Sequence, residues 1–264
     1  MNSSINLLER LLSQGRRFFF MGRHVESRRR LEKLLALPDV PEHQRIEAHQ
    51  LLADIHLDAQ CYRKARRHLI AALGLRPNCA ETLFSLGVTL DMDPDVDPKR
   101  AAKYFKKALE NKPDEPRYWS GYGQVCLRLG KEKAAYGAFV AAADLAPNDA
   151  DVLDEITDGL CFLGKEEDAR SVLMAARFRL GHSAELDQLW NRFRFLQLHR
   201  KQQASIRRKA LDAGEAVILP FVPTKETSGE PKGEAGILRH DRFSRPMPHS
   251  ARLPGMNTDP RRAP

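Results

Sequence analysis

The chain has 264 residues, 42% of them hydrophobic, which suffices for one substantial core or two modest ones. Its formal charge of +8 is uneven: residues 1–44 hold eight Lys/Arg against five Asp/Glu, residues 45–182 hold 20 against 21, and residues 183–264 hold 15 against nine. A neutral middle with basic ends argues against a protein that is one large polyanion-binding surface. No apolar run approaches the roughly 18 residues of a spanning helix, and no export signal is legible at the start, so the expectation is a cytoplasmic protein without a membrane partner.

In chain order, residues 1–44 read as a degenerate helical hairpin and linker. Aligning Gly22 with Gly130 and Gly164 as turn glycines puts Leu11, Gly15, Phe18, Leu31 and Leu34 at core positions, while Ser27 and Asp39 fit poorly and LPDVPEH forms a linker.

Residues 45–182 repeat. Segments around Pro77, Pro113 and Pro147 align at intervals of 36 and 34 residues, a further step of 34 lands on Gly181, and a step back opens a unit at Ile46. Each unit predicts two helices. The first carries sets such as Leu83, Leu86, Gly87 and Leu90, or Trp119, Tyr122, Gly123 and Cys126. The second repeats Ala, large, Ala at spacings of four and three: Ala65, Leu69, Ala72; Ala101, Phe105, Ala108; Ala135, Phe139, Ala142; Ala169, Leu173, Ala176. That spacing keeps all three on one helix face, and one hairpin cannot bury such a face alone, so the units must stack.

This pattern resembles the tetratricopeptide repeat family, whose 34-residue unit has a Trp-like, Leu, Gly and Tyr set in helix A, then Ala, Phe, Ala and Pro in helix B. The resemblance covers residues 46–181 as four units and implies an all-α, right-handed α-solenoid. The first unit departs most, with His49 and His56 at the Trp-like and Tyr-like positions and Ala53 in place of Gly.

Residues 183–212 predict a capping helix that Ser183 can N-cap, with an apolar stripe of Leu186, Leu189, Trp190, Phe193 and Leu196. Residues 213–264, with eight of the 16 prolines, predict a disordered basic tail; one apolar island, VILPFVP at 217–223, suits an extended segment against the last helix.

Catalytic and metal chemistry find little support. The chain lacks HExxH, GxSxG, a phosphate-binding P-loop and GxGxxG. The four cysteines contain no CxxC pair and read as free thiols, and His49 and His56 lie about 10 Å apart along a helix, too far to share one ion. The alternating Asp91, Asp93, Asp95 and Asp97 invite a calcium reading, yet a loop starting at Asp91 has Val96 where Gly is needed and Ala102 where Glu is needed. The run coincides instead with the two extra residues of the 36-residue interval and reads as a proline-punctuated turn. No enzyme, cofactor or metal is expected.

The resemblance implies a concave groove lined by the second, fifth, ninth and twelfth residues of each helix A. These are Glu47, Gln50, Asp54, Leu57; Glu81, Phe84, Val88, Asp91; Arg117, Ser120, Gln124, Leu127; and Asp151, Asp154, Asp158, Cys161. Seven are acidic and one is basic, whereas RKARRH at 63–68 and KRAAKYFKK at 99–107 make the helix B faces basic. The expectation is a protein-interaction adaptor whose acidic groove takes a basic, partly apolar peptide or helical segment of a partner. Some members of the family use a basic clamp for acidic chaperone tails; Asp54, Val88, Gln124 and Asp158 at the ninth position depart from it. The tail from Arg239 onward, with six arginines against two aspartates, has the composition of such a ligand and invites self-occupation of the groove. The competing reading is a nucleic-acid-associated protein gripping phosphate with the basic helix B faces and GRRFFFMGRHVESRRR.

Overall fold

A computed structural model describes residues 2–213, which form eleven α-helices and, among the described residues, no strand. The expectations for the tail, including VILPFVP and self-occupation of the groove, fall on residues 214–264, outside the described ones. Helices α1 (Asn2–Phe20) and α2 (His24–Leu35) form the first hairpin. Then follow α3 (Glu42–Asp58) with α4 (Tyr62–Leu75), α5 (Ala80–Met92) with α6 (Pro98–Asn111), α7 (Pro116–Arg128) with α8 (Glu132–Asp144) and α9 (Ala150–Phe162) with α10 (Glu166–Leu180). The long α11 (Ala184–Ala213) is the last described element. The hairpins stack as an α-solenoid.

Local signals account for several boundaries. Asp97 accepts the Lys99 N–H at 2.9 Å and Pro98 opens α6, while Asp149 accepts the Asp151 N–H at 2.9 Å at the head of α9. Ser183 accepts the Leu186 N–H at 3.1 Å and starts α11. The first repeat helix begins at Glu42, a turn before Ile46, because Pro41 ends the linker and an acid suits the positive end of a helix. Three helix A to helix B turns reverse through Gly22, Gly130 and Gly164 at φ of 69°, 67° and 69°. Gln60 serves that position in the first unit at φ 56°, which glycine would take with less strain.

Stacking rests on the Ala, large, Ala faces. None of these twelve residues is more than 1% exposed. The alanines let helices close up, and the large residue fills the slot between two consecutive helix A elements. Phe139 shows the geometry: it is fully buried between Gly123 of α7 and Gly159 of α9, and a Cβ on Gly123 would stand 2.7 Å from its ring. In the N-terminal hairpin Ser27 is fully buried and donates to the Gly15 carbonyl at 2.7 Å, so the residue that fits the repeat pattern poorly is satisfied by a local bond.

The aspartate-rich turn is structural. Burial alone would raise the Asp93 carboxyl, but the Arg66 guanidinium of α4 and the Asp95 N–H, at 3.1 Å, hold it below the usual carboxylate range. Asp93→Asn is expected to cost about 2 kcal/mol at neutral pH, since it leaves Arg66 without its counter-charge. A carboxyl with a depressed folded-state pKa stabilises above its unfolded pKa and loses that contribution as pH falls. Urea unfolding of variant and parent should therefore converge in acid.

Candidate interaction groove

The acids of the helix A stripe divide into two sets. Those in the first set are met by arginines from neighbouring units. Glu47 accepts from Arg16 Nε of α1 at 2.8 Å. Asp91 pairs with Arg128 of α7, whose Nη2 also donates to the Asp91 carbonyl at 2.6 Å. Asp154 and Asp158 both bond to Arg192 of α11. Counted as another helix A beginning at Ala184, α11 presents Arg192 at the ninth position, on the groove stripe itself.

The second set gathers around Arg117. The Asp54 carboxyl is buried at 8% exposure, and its pKa is driven well above the usual range, first by that burial and then by Asp58 and Glu81, with Arg117 opposing. Across Arg117, burial pushes Glu155 to about 7, the Ser120 hydrogen bond and Arg117 pull it down, and Asp151 and Asp149 push it up. Ser120, fully buried, donates to Glu155 Oε2 at 2.6 Å, and Gln124 Nε2 donates to the Glu155 carbonyl at 3.1 Å. The Arg117 guanidinium lies 5.4 Å over the Phe84 ring, and its Nε is buried without a hydrogen-bond acceptor among the described residues. One cation thus faces carboxyls from two helix A elements other than its own, α3 and α9.

Most apolar members of the stripe are enclosed. Leu57, Phe84 and Val88 are enclosed at 6%, 3% and 6% exposure and form the groove wall, with Phe84 stacked on Tyr118 at 4.8 Å. Leu127 is half-buried and Cys161 buried. Gln50 donates to Thr82 Oγ1 at 2.9 Å and ties the first two units, while Asp151 is exposed at the head of α9. At the far end α11 closes against α9, leaving a crevice of about 10 Å³ that Leu189 and Leu196 line with the Arg192 cluster.

Glu155 escapes the stripe rule because it is the sixth residue of its unit. Leu51, Ser85 and Gly121 hold that place in the other units, so an acid among small or apolar residues is the signal that marks it. His49 and His56 meet a third histidine, His68 of α4: His49 Nδ1 and His68 Nδ1 share a hydrogen bond at 3.1 Å, and the His56 and His68 rings stack at 5.4 Å. Burial, then the neighbouring His68 and Arg45, lowers His49 to about 4.

The profile of the tetratricopeptide repeat family matches residues 51–97 and 97–150, a span that runs from within α3 to the first residue of α9. Residues 51–150 are tetratricopeptide repeats. Among solved structures, the tetratricopeptide array resembles PilF of Pseudomonas aeruginosa with 20% identity and a TM-score of 0.56, over 78% of this chain and 90% of that one. It also resembles TTC0263, a thermophilic repeat protein of Thermus thermophilus, with 15% identity and a TM-score of 0.58, over 71% and 99%. A MamA protein matches with 16% identity and a TM-score of 0.50, over 65% and 90%. At these identities the likeness is one of fold. No curated protein matches the chain in sequence. Tetratricopeptide repeats act as protein-interaction scaffolds, and the family is generally non-catalytic. Among the described residues no helix is long and apolar enough to cross a membrane.

Proposed function

We propose that the array is an adaptor whose groove, centred on Arg117, binds a segment of a partner protein bearing lysine or arginine. The observation that supports this is that Asp54 and Glu155, buried carboxyls from two different helices and each crowded by further acids, both face the Arg117 guanidinium. Burial and neighbouring acids disfavour the charged form of Asp54 and Glu155, and an incoming cation opposes both effects. Arg16, Arg128 and Arg192 supply an internal precedent, since each seats a guanidinium on an acid of the same stripe. A bound basic side chain lowers the carboxyl pKa values near it, so association releases protons near neutral pH. Because Leu57, Phe84 and Val88 are enclosed, selectivity rests on charge and on main-chain contacts with Gln124 and Leu127 at the rim.

Asp54→Asn with Glu155→Gln preserves side-chain shape while removing the two shifted carboxyls. Affinity capture with the full chain is expected to lose its partner by at least about tenfold in this variant, and partner recovery equal to the parent's would sink the groove reading. Deleting residues 239–264 is expected to increase recovery if the arginine-rich tail competes for the same acids. Unchanged recovery on deletion would remove self-occupation while leaving the groove intact.

A further inference from the structure

A second site, of opposite charge, lies on the helix B side of the first units. Arg28 and Glu32 of α2 face Lys64, Arg67 and His68 of α4 across a cleft of about 280 Å³ floored by His56 of α3. Three permanent cations meet one carboxylate, and Glu32 Oε1 stands 3.7 Å from Arg28 Nε, beyond hydrogen-bond distance. The neighbouring interval shows the usual arrangement: there Arg66 is matched by the buried Asp93.

The histidines make the cleft more than a basic patch. His68 spends Nδ1 on His49, and its ring is held flat against His56 at an interplanar angle of 13°. His56 is only 6% exposed, its imidazole makes no hydrogen bond to a described residue, and it lines the cleft. Two imidazole edges therefore stand among three cations. Burial first, then His68, Lys64 and Arg28, disfavours a proton on His56, with Glu32 favouring it. The groups facing this histidine pair from the three packed helices are Arg28 and Glu32, then Arg45 and His49, then Lys64 and Arg67. A bound anion would neutralise the cations that repel the imidazole proton, so it would gain both charge and donors.

We propose that this cleft binds a phosphate dianion, either free or carried by a phosphomonoester. A dianion with three terminal oxygens matches the surplus of two positive charges and the separate donors of Lys64, Arg67, Arg28 and the imidazoles. The volume lies just under the roughly 300 Å³ at which drug-sized pockets begin, which suits a phosphate with a short stem. The site is independent of the groove, whose chemistry selects cations.

The test uses the full chain at pH 7.5, with histidine ring resonances followed by NMR during titration with inorganic phosphate against sodium chloride of equal ionic strength. His56 and His68 are expected to shift saturably with phosphate and not with chloride, while the exposed His182 stays still. Lys64→Gln with Arg67→Gln removes two exposed cations without touching the core and should weaken binding at least about tenfold. Lys99→Gln with Lys103→Gln, equally exposed on α6, is the matched control and should change little. Glu32→Gln should tighten binding several-fold. A short phosphoserine peptide run in parallel separates the sources: tighter binding than inorganic phosphate assigns the cleft to a phosphorylated side chain, and weaker binding to a free anion. Equal effects of the two double variants, or a phosphate response no different from chloride, would overturn the proposal.

Discussion

Phe139→Ala is expected to lower the stability of the array by about 4 kcal/mol, the middle of the range for deleting a fully enclosed aromatic ring. The ring fills the slot between α7 and α9, so its loss weakens the coupling of the last unit to the rest as well as one core. Because a solenoid is held together by nearest-neighbour interfaces, urea unfolding should broaden and its slope should fall as the last unit melts separately. The companion variant has a sign that discriminates. Helix propensity alone says that Gly159→Ala should stabilise α9 by about 1 kcal/mol. Contact says the reverse, because the new Cβ meets a ring already held by Gly123 and fully buried. Net destabilisation of about 2 kcal/mol is expected. Adding Phe139→Leu should recover part of it, since the shorter side chain vacates the space the methyl needs.

Glu155→Gln should stabilise the chain at alkaline pH while weakening the groove. Glu155 is pushed from an ordinary value of 4.5 to about 7, mainly by burial. A carboxyl whose folded pKa is raised contributes fully below its unfolded pKa, and the contribution disappears as pH rises through the folded value. The difference between variant and parent should therefore be near zero at pH 4.5, grow up to pH 7 and level off. A shift of this size sets a ceiling of about 3 kcal/mol, and solvent reaching the half-buried side chain reduces it to about 2 kcal/mol. His49 acts in the opposite direction: its pKa is lowered to about 4, so its contribution is present above 6.5 and lost as pH falls toward 4. Parent stability thus carries opposing slopes between pH 4.5 and 6.5, and thermal melts of the variant across that window should retain the acid-side loss alone.

The repeat is legible in the sequence because packing demands it locally. Ala135, Phe139 and Ala142 recur as a face at every period, and a missing methyl at Gly123 and Gly159 is the imprint of the ring between them. The aspartate run is legible as a turn, but the importance of Asp93 is not, since its partner Arg66 lies 27 residues earlier on another helix. Groove chemistry is hidden for the same reason. Arg16 to Glu47, Ser120 to Glu155, Arg128 to Asp91 and Arg192 to Asp154 bridge 31 to 38 residues, about one repeat. A stripe drawn along one helix counts Asp154 and Asp158 as open acids, whereas their neighbour one period on, Arg192, already holds them. His68 joins His49 and His56 from the second helix of the unit, where no helix A periodicity points to it. Charge in a solenoid becomes meaningful when each side chain is compared with the residue one repeat away.

The claim that the Arg117 cluster selects basic segments is tested most directly by a randomised peptide array probed with the chain lacking residues 239–264, at low and physiological salt. Enrichment of peptides carrying lysine or arginine is predicted, with the enrichment abolished by Asp54→Asn with Glu155→Gln and unchanged by Lys99→Gln with Lys103→Gln. Enrichment of acidic peptides, or a basic preference that survives the paired groove substitutions, would contradict it.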